Sequence, residues 1–200
     1  MTDDSTNFVG KAFTEERFSG ESWDGRTYTD CSFIDADLSG LTTRGVVFTD
    51  CDFTGADLSE SVHEASAFRT CTFRKVTLWN ATFRHSTFLG STFGESRLRP
   101  VTFDEVDFTL CSLGGVDLRS VNMTGCRLRE ANLVGADLRK AVLSSADLAG
   151  ARTAGLRLEE ADLRGAVLDA DAWTSARLTG ATVDSFQALA YAAAHGLRVD

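Results

Sequence analysis

Large apolar residues recur at every fifth position of this chain, in one register from Phe8 to Val183. Residue numbers ending in 3 or 8 read Phe8, Phe13, Phe18, Trp23, Tyr28, Phe33, Leu38 and onward to Leu178 and Val183. Thr43, His63 and Thr153 are the polar exceptions. Helices and strands of an ordinary globular fold show periods of about 3.6 or 2, interrupted at loops. A fixed period of five predicts a solenoid instead, in which each unit packs on its neighbours.

The unit is clearest in the triplets Ala36-Asp37-Leu38, Ala56-Asp57-Leu58, Ala136-Asp137-Leu138 and Ala161-Asp162-Leu163. Two positions before each large residue stands a small one, nearly throughout from Cys31 to Ala181. Strand side chains alternate faces, so the small and large residues point inward and the one between them outward. Of the 17 glycines, 14 fall on the last position of the unit, which suits a corner that needs positive φ. Like residues also recur at steps of twenty, as in Leu38, Leu58, Leu78, Leu98 and in Phe48, Phe68, Phe88, Phe108. Such columns fit coils of twenty residues, stabilised mainly by burial at about 25 cal/mol per Å².

Three segments follow. Before Cys31 the small position carries Lys11, Glu16, Glu21 and Arg26, and charge is costly to bury; residues 1–25 are set apart on this ground. This predicts an irregular or partial first coil that acts as a cap or arm. Residues 26–183 form the repeat. In 184–200 the pattern stops, and Asp184 caps a predicted helix that Gly196 ends. That helix is expected to plug the solenoid end and to pack on a second copy.

The net charge of −9 divides as −5 in residues 1–100 and −4 in 101–200, so the acidity reads as spread. It argues against nucleic acid as a direct ligand. The chain begins Met1-Thr2-Asp3-Asp4-Ser5 and has no long apolar segment, so no membrane association and a cytoplasmic location are expected. Cys31, Cys51, Cys71, Cys111 and Cys126 all occupy the small inward slot, where they read as inert hydrophobes. His63 takes a centre position and reads as a satisfied polar core residue. Pro100 falls on a corner, where its missing N–H is expected to cost least. No catalytic constellation, cofactor loop or metal-ligand spacing is present, so the chain does not read as an enzyme. Outward Asp37, Asp57, Asp117 and Asp137 share one face, and Asp107 and Asp147 another. They either solvate their corners or imitate a row of phosphates. About eight coils at ~4.8 Å give a rod of ~38 Å, close to one turn of DNA at ~34 Å.

The five-residue motif resembles that of the pentapeptide-repeat family. The resemblance implies a right-handed quadrilateral β-helix, four repeats per coil, with a C-terminal α-helix here. Thr77-Leu78-Trp79, Arg97-Leu98-Arg99-Pro100, Asp104 to Leu110, Leu113-Gly114-Gly115, Gly125 to Glu130 and Ala192 to Leu197 closely resemble the mycobacterial fluoroquinolone-resistance members of that family. The likeness covers roughly residues 26–198, and the first 25 are an addition to it. It implies a homodimer joined through C-terminal helices, at Phe186, Leu189, Ala190 and Ala193. It also implies binding to DNA gyrase in place of DNA, which inhibits the enzyme and protects it from fluoroquinolones. The outward acids in or near those segments, Asp104, Glu105, Asp107, Asp117, Glu130 and Asp137, are the candidate gyrase contacts. The alternative is an acidic scaffold or adaptor solenoid with another protein partner.

Overall fold

The computed structural model describes residues 6–198. The chain winds as a four-sided β-helix in which each residue lies beside the residue twenty positions on. One side stacks Asn7–Val9, Thr27–Thr29, Val47–Thr49 and Ala67–Arg69 in parallel. Another stacks Ser22–Asp24, Thr42–Arg44, Val62–Glu64, Ala81–Arg84 and Val101–Asp104. A third side pairs Thr72–Arg74 with Thr92–Gly94, and elsewhere the remaining sides continue as single bridged pairs such as Ala12↔Ser32 and Asp37↔Asp57. Coils are joined by three backbone bonds per regular unit, as in Leu38 N donating to Asp57 O at 2.8 Å, Gly40 N to Ser59 O at 2.8 Å and Asp57 N to Ala36 O at 3.0 Å.

The interior is filled in columns. Phe48 stacks on Phe68 at 4.9 Å and 7°, and Phe53 on Phe73 at 4.9 Å and 1°. Rings on adjacent sides meet edge to face, as for Phe48 and Phe53 at 5.3 Å and 76°. Both geometries suit the aromatic quadrupole. All five cysteines are buried and unbridged. Every final corner residue from Gly10 to Gly165 except Pro100 has positive φ, and 18 of these corners are not glycine.

The first coil is regular, which corrects the expectation of an irregular cap. Phe8 stacks on Tyr28 at 4.8 Å and Phe13 on Phe33 at 5.0 Å. Lys11, Glu16 and Glu21 stay exposed because the slots of the first coil form its rim, so no burial cost arises. Trp23 Nε1 donates to Glu21 Oε2 at 2.8 Å, and Arg26 lies 5.4 Å from the Trp23 ring.

At the other end, two helices form. The short α1 (Ala170–Ser175) replaces one strand unit yet keeps Trp173 in a buried centre position. α2 (Ser185–Ala194) starts at Asp184 in a capping box with Gln187. Gln187 is buried, and its Nε2 donates to the carbonyls of Leu163 and Ala166. In earlier coils the residue 21 positions on satisfies such a carbonyl with its backbone N–H, as Val167 does for Ala146. Gln187 stands 21 positions after Ala166 and supplies the bond from its side chain. No helix among the described residues is long and apolar enough to cross a membrane.

The polar centres are satisfied as a group. Thr43 Oγ1 lies 2.7 Å from His63 Nδ1 and 2.8 Å from Ser66 Oγ, and Ser61 Oγ lies 3.0 Å from His63 Nε2. His63 also stacks on Phe83 at 4.6 Å. Burial pushes the His63 pKa down to about 3. The unfolded chain therefore binds a proton near pH 6.5 that the folded chain refuses until about pH 3. Stability from this group is complete above pH 6.5 and is lost as pH falls toward the folded value, at up to about 1.4 kcal/mol per unit. Denaturant titrations at pH 7 and pH 5 are expected to show this loss in the native chain and a smaller one in His63→Phe. Equal losses in both proteins assign the slope to other groups.

Candidate functional site

The recurring outward aspartates first serve the backbone. Asp37, Asp52, Asp57 and Asp107 each accept from the backbone N–H two residues on, at 3.1, 2.8, 2.9 and 2.9 Å. The hydroxyls of Ser39, Thr54, Ser59 and Thr109 add a second bond at 2.5 to 2.6 Å. Asp117 and Asp137 accept the same backbone bond, at 3.2 and 3.3 Å, and also hold arginines. Arg119 donates to Asp117 through Nε and Nη2 at 2.9 and 2.8 Å, and Arg99 Nη2 adds a bond at 2.6 Å. Arg139 grips Asp137 the same way at 2.9 and 2.7 Å, with Arg157 at 3.3 Å. Hydrogen bonds from Arg119 and Arg139, respectively, pull both carboxyls below the usual carboxylate range.

The six acids singled out in the sequence therefore do not form one site. Asp104, Glu105, Asp107 and Glu130 surround one side of the helix, whereas Asp117 and Asp137 lie on the opposite side. Asp104 has Arg84 at 4.0 Å, Glu105 has His85 at 3.4 Å and Asp107 has Arg127 at 3.9 Å, each from a neighbouring coil. Glu130 alone of the six has no ion pair among the described residues.

Charge is zoned coil by coil, which refines the even division seen between the two halves. Residues 6–64 hold twelve acids and four bases, a formal −8. Residues 65–100 hold six bases and one acid, a formal +5. None of those twelve acids makes an ion pair among the described residues, where every ion pair starts from Arg74 or beyond. Five of them, Glu15, Asp30, Asp35, Asp50 and Glu60, occupy exposed left-handed corners with φ between 53° and 60°. A side chain there costs roughly 1 kcal/mol relative to glycine. Sequence reasoning passed over these acids because they belong to no Ala-Asp-Leu triplet; a count by coil finds them.

On α2, Phe186, Leu189, Ala190 and Ala193 are all exposed and fall at one helical face. Phe186 is 82% exposed and Leu189 47%. The opposite face carries Gln187 and Tyr191, whose ring meets Trp173 edge-on at 6.2 Å. Among the described residues no His, Cys, Asp and Glu side chains group as a metal site.

A family model for the pentapeptide repeat region matches residues 21–103, and one for pentapeptide repeats (8 copies) matches 107–144, 122–152 and 141–170. The chain belongs to the pentapeptide-repeat family. No curated protein sequence matches it. Among solved structures, full-length QnrB1, a plasmid-mediated fluoroquinolone resistance protein, aligns with a TM-score of 0.79 at 21% identity, covering 96% of this chain and 97% of that one. A trypsin-treated variant of the same protein aligns with a TM-score of 0.72 at 24% identity and 97% coverage of both chains. These alignments show a shared fold from end to end, the first coil included.

Within this pentapeptide-repeat chain, acids that hold the scaffold are distinguishable from acids that face solvent. Asp137→Asn is expected to lower stability by about 1 kcal/mol, since it weakens charge-assisted bonds at a partly exposed site. Glu60→Gln is expected to stay within about 0.5 kcal/mol of the parent. Urea titration of both variants checks the contrast.

Proposed function

We propose that this pentapeptide-repeat protein binds DNA gyrase as a DNA mimic, inhibits it by competing with DNA, and protects it from fluoroquinolones. The observation that carries the reading is the set of acids at left-handed corners. Glycine would be easier there, and Glu15, Asp30, Asp35 and Glu60 have no ion pair or side-chain hydrogen bond among the described residues. From Gly10 to Glu60 every corner that is not glycine carries an acid, whereas later corners take residues such as Ala65, Lys75 and Leu110, and that bias in sign supports a surface role. The alignment with QnrB1 over 96–98% of this chain supports the same class, as does the resemblance to the mycobacterial fluoroquinolone-resistance protein MfpA. The protein would act in the cytoplasm without binding nucleic acid through its acidic surface.

Contact comes first from the N-terminal acidic coils. An acidic surface approaching a basic DNA path associates quickly and with strong salt dependence. Asp104, Glu105 and Glu130, all exposed, extend the acidic surface beyond these coils. Asp107, Asp117 and Asp137 hold the scaffold that carries it. The exposed stripe of Phe186, Leu189, Ala190 and Ala193 joins two copies into a homodimer, since an apolar face of this kind is normally covered.

Supercoiling by a cognate gyrase, titrated with the protein with and without a fluoroquinolone, tests the reading. Inhibition together with fewer drug-stabilised breaks is expected. The triple variant Asp30→Gly, Asp35→Gly, Glu60→Gly is expected to keep or raise the melting temperature while weakening inhibition by about tenfold. Absence of any effect at micromolar protein moves the assignment to an acidic adaptor with another partner. For the dimer, Phe186→Asp with Leu189→Asp is expected to give a monomer by light scattering, and a persistent dimer removes α2 from the interface.

A further inference from the structure

The acidic rod has one edge of opposite sign. On the corner column that reads Ser19, Ser39, Ser59 and Trp79 in the early coils, the next residues are Arg99, Arg119 and Arg139. Lys140 follows at the same corner, and Arg97 lies on the adjoining side. Like charges repeat there at the coil spacing of ~4.8 Å, and Asp117 and Asp137 offset part of them by pairing with Arg99, Arg119 and Arg139.

The coil stack also parts at this edge. Thr77↔Arg97 and Asp117↔Asp137 are bridged, but Arg97 and Asp117 are not. The cause is Pro100. Each corner residue normally takes positive φ and donates its N–H to the carbonyl 19 positions on, as Ser120 does to Arg139 O at 2.9 Å. Proline is locked at negative φ and has no N–H. Arg119 O is therefore reached only by the Arg99 side chain, at 3.4 Å. The N–H groups of Leu98 and Asp117, which would close the ladder, have no partner among the described residues. The missing N–H of Pro100 thus costs more than its corner position led us to expect.

The parting leaves a shallow groove with three contiguous parts. One of about 250 Å³ is lined by Ser96, Arg97, Leu98, Arg99 and Asp117. One of about 320 Å³ runs along Pro100, Val101, Ser120 and Val121 between Arg99 and Arg119. One of about 290 Å³ continues past Arg139, Lys140 and Glu160. Asp117 and Asp137 occupy Nε and Nη2 of Arg119 and Arg139, which leaves Nη1 of each without a protein partner among the described residues. The groove thus combines guanidinium forks, an ammonium group and the Ser120 hydroxyl, while Glu160 is drawn to Lys140 at 3.5 Å.

We propose that this groove binds phosphoryl anions, with Arg99, Arg119 and Arg139 as the principal ligands and Lys140 and Ser120 completing the site. Guanidinium forks match phosphoryl oxygens in geometry as well as charge. A chain of several phosphoryl groups suits the groove better than one, because its cations are spread over successive coils. The chemistry is shared by free polyphosphates and by the backbone of a nucleic acid, and the site is separate from the acidic coils proposed to meet gyrase.

Calorimetric titration of the full chain with tripolyphosphate at low salt tests the site, with a 12-base-pair DNA duplex as the second probe. One saturable site for tripolyphosphate is expected, weakened about tenfold in Arg119→Gln and in Lys140→Glu. Lys140 is well exposed, so the second variant does not depend on the Asp117 network. Arg164→Gln serves as control, since Arg164 grips Asp162 just as Arg119 grips Asp117 but on another side. Its affinity is expected to stay within twofold. Duplex binding that the same variants weaken names a nucleic-acid backbone as the source, and tripolyphosphate binding without it names a free polyphosphate. No saturable heat with either probe, or equal weakening in Arg164→Gln, overturns the proposal.

Discussion

Everything in this protein depends on the hydrogen bonds between coils. Each regular unit donates two N–H groups to the coil ahead, from its centre and its corner, and one to the coil behind, so the chain has a single register, and that register places residue n beside residue n + 20. Interior columns, corner conformations and surface ladders are consequences of it. A large centre and a small slot fill the lumen with buried side chains, and the corners from Gly10 to Gly165, Pro100 excepted, close with positive φ. Because every side chain is stacked on its neighbours twenty positions away, a substitution acts along a column rather than within a local cluster. Both ends of the rod show the same constraint. At the start the rim is left to charged residues that cannot recruit another coil, and at the finish Gln187 imitates the backbone donor that the next coil would have supplied.

The filled lumen confines function to the surface, and there the acids divide by what the scaffold asks of them. An outward Asp caps its own corner, or fixes an arginine, in coil after coil. Such residues would be retained whatever the protein binds. Corner acids of the first coils are different: from Gly10 to Glu60 every non-glycine corner is acidic, although the same conformation later accepts Ala65, Lys75, Leu110 and Ser145, so the fold does not account for the choice of charge. That separation, more than the net charge of −9, gives the acidic surface its functional weight.

The architecture was legible in the sequence because solenoid packing writes its period directly into the chain. Phe48, Phe68 and Phe88 stack as the steps of twenty predict, and the three polar centres at Thr43, His63 and Thr153 are buried and bonded to partners. The first coil was misread because Lys11, Glu16 and Glu21 were judged by the burial of their counterparts, whereas a rim has no coil above it. α1 was hidden by Trp173, which keeps the fifth-residue period while its backbone turns helical. The candidate site was less legible. Pairing of Asp117 with Arg99 depends on contact between coils, 18 residues apart, and a reading along one strand does not reveal it. The break at Pro100 is likewise invisible until the missing donor is matched to the Arg119 carbonyl that needed it.

The zoning of charge constrains how a dimer would present itself. With α2 as the joint, the C-terminal coils meet at the centre and the coils of residues 6–64 lie at the two far ends. The −8 of each acidic zone would then be separated by the basic zone of residues 65–100 and the arginine edge that follows it. DNA carries one phosphate charge per ~1.7 Å along its whole length, so mimicry by such a rod would be local to its acidic ends. The rod resembles two short acidic segments held at a fixed distance by a stiff, largely neutralised spacer. A partner with two basic surfaces at that distance gains from both through effective concentration, while a single basic surface gains from one. Rigidity of the coil stack is what fixes that distance, so the hydrogen-bond ladder that builds the fold also sets which partners the charged ends can engage together.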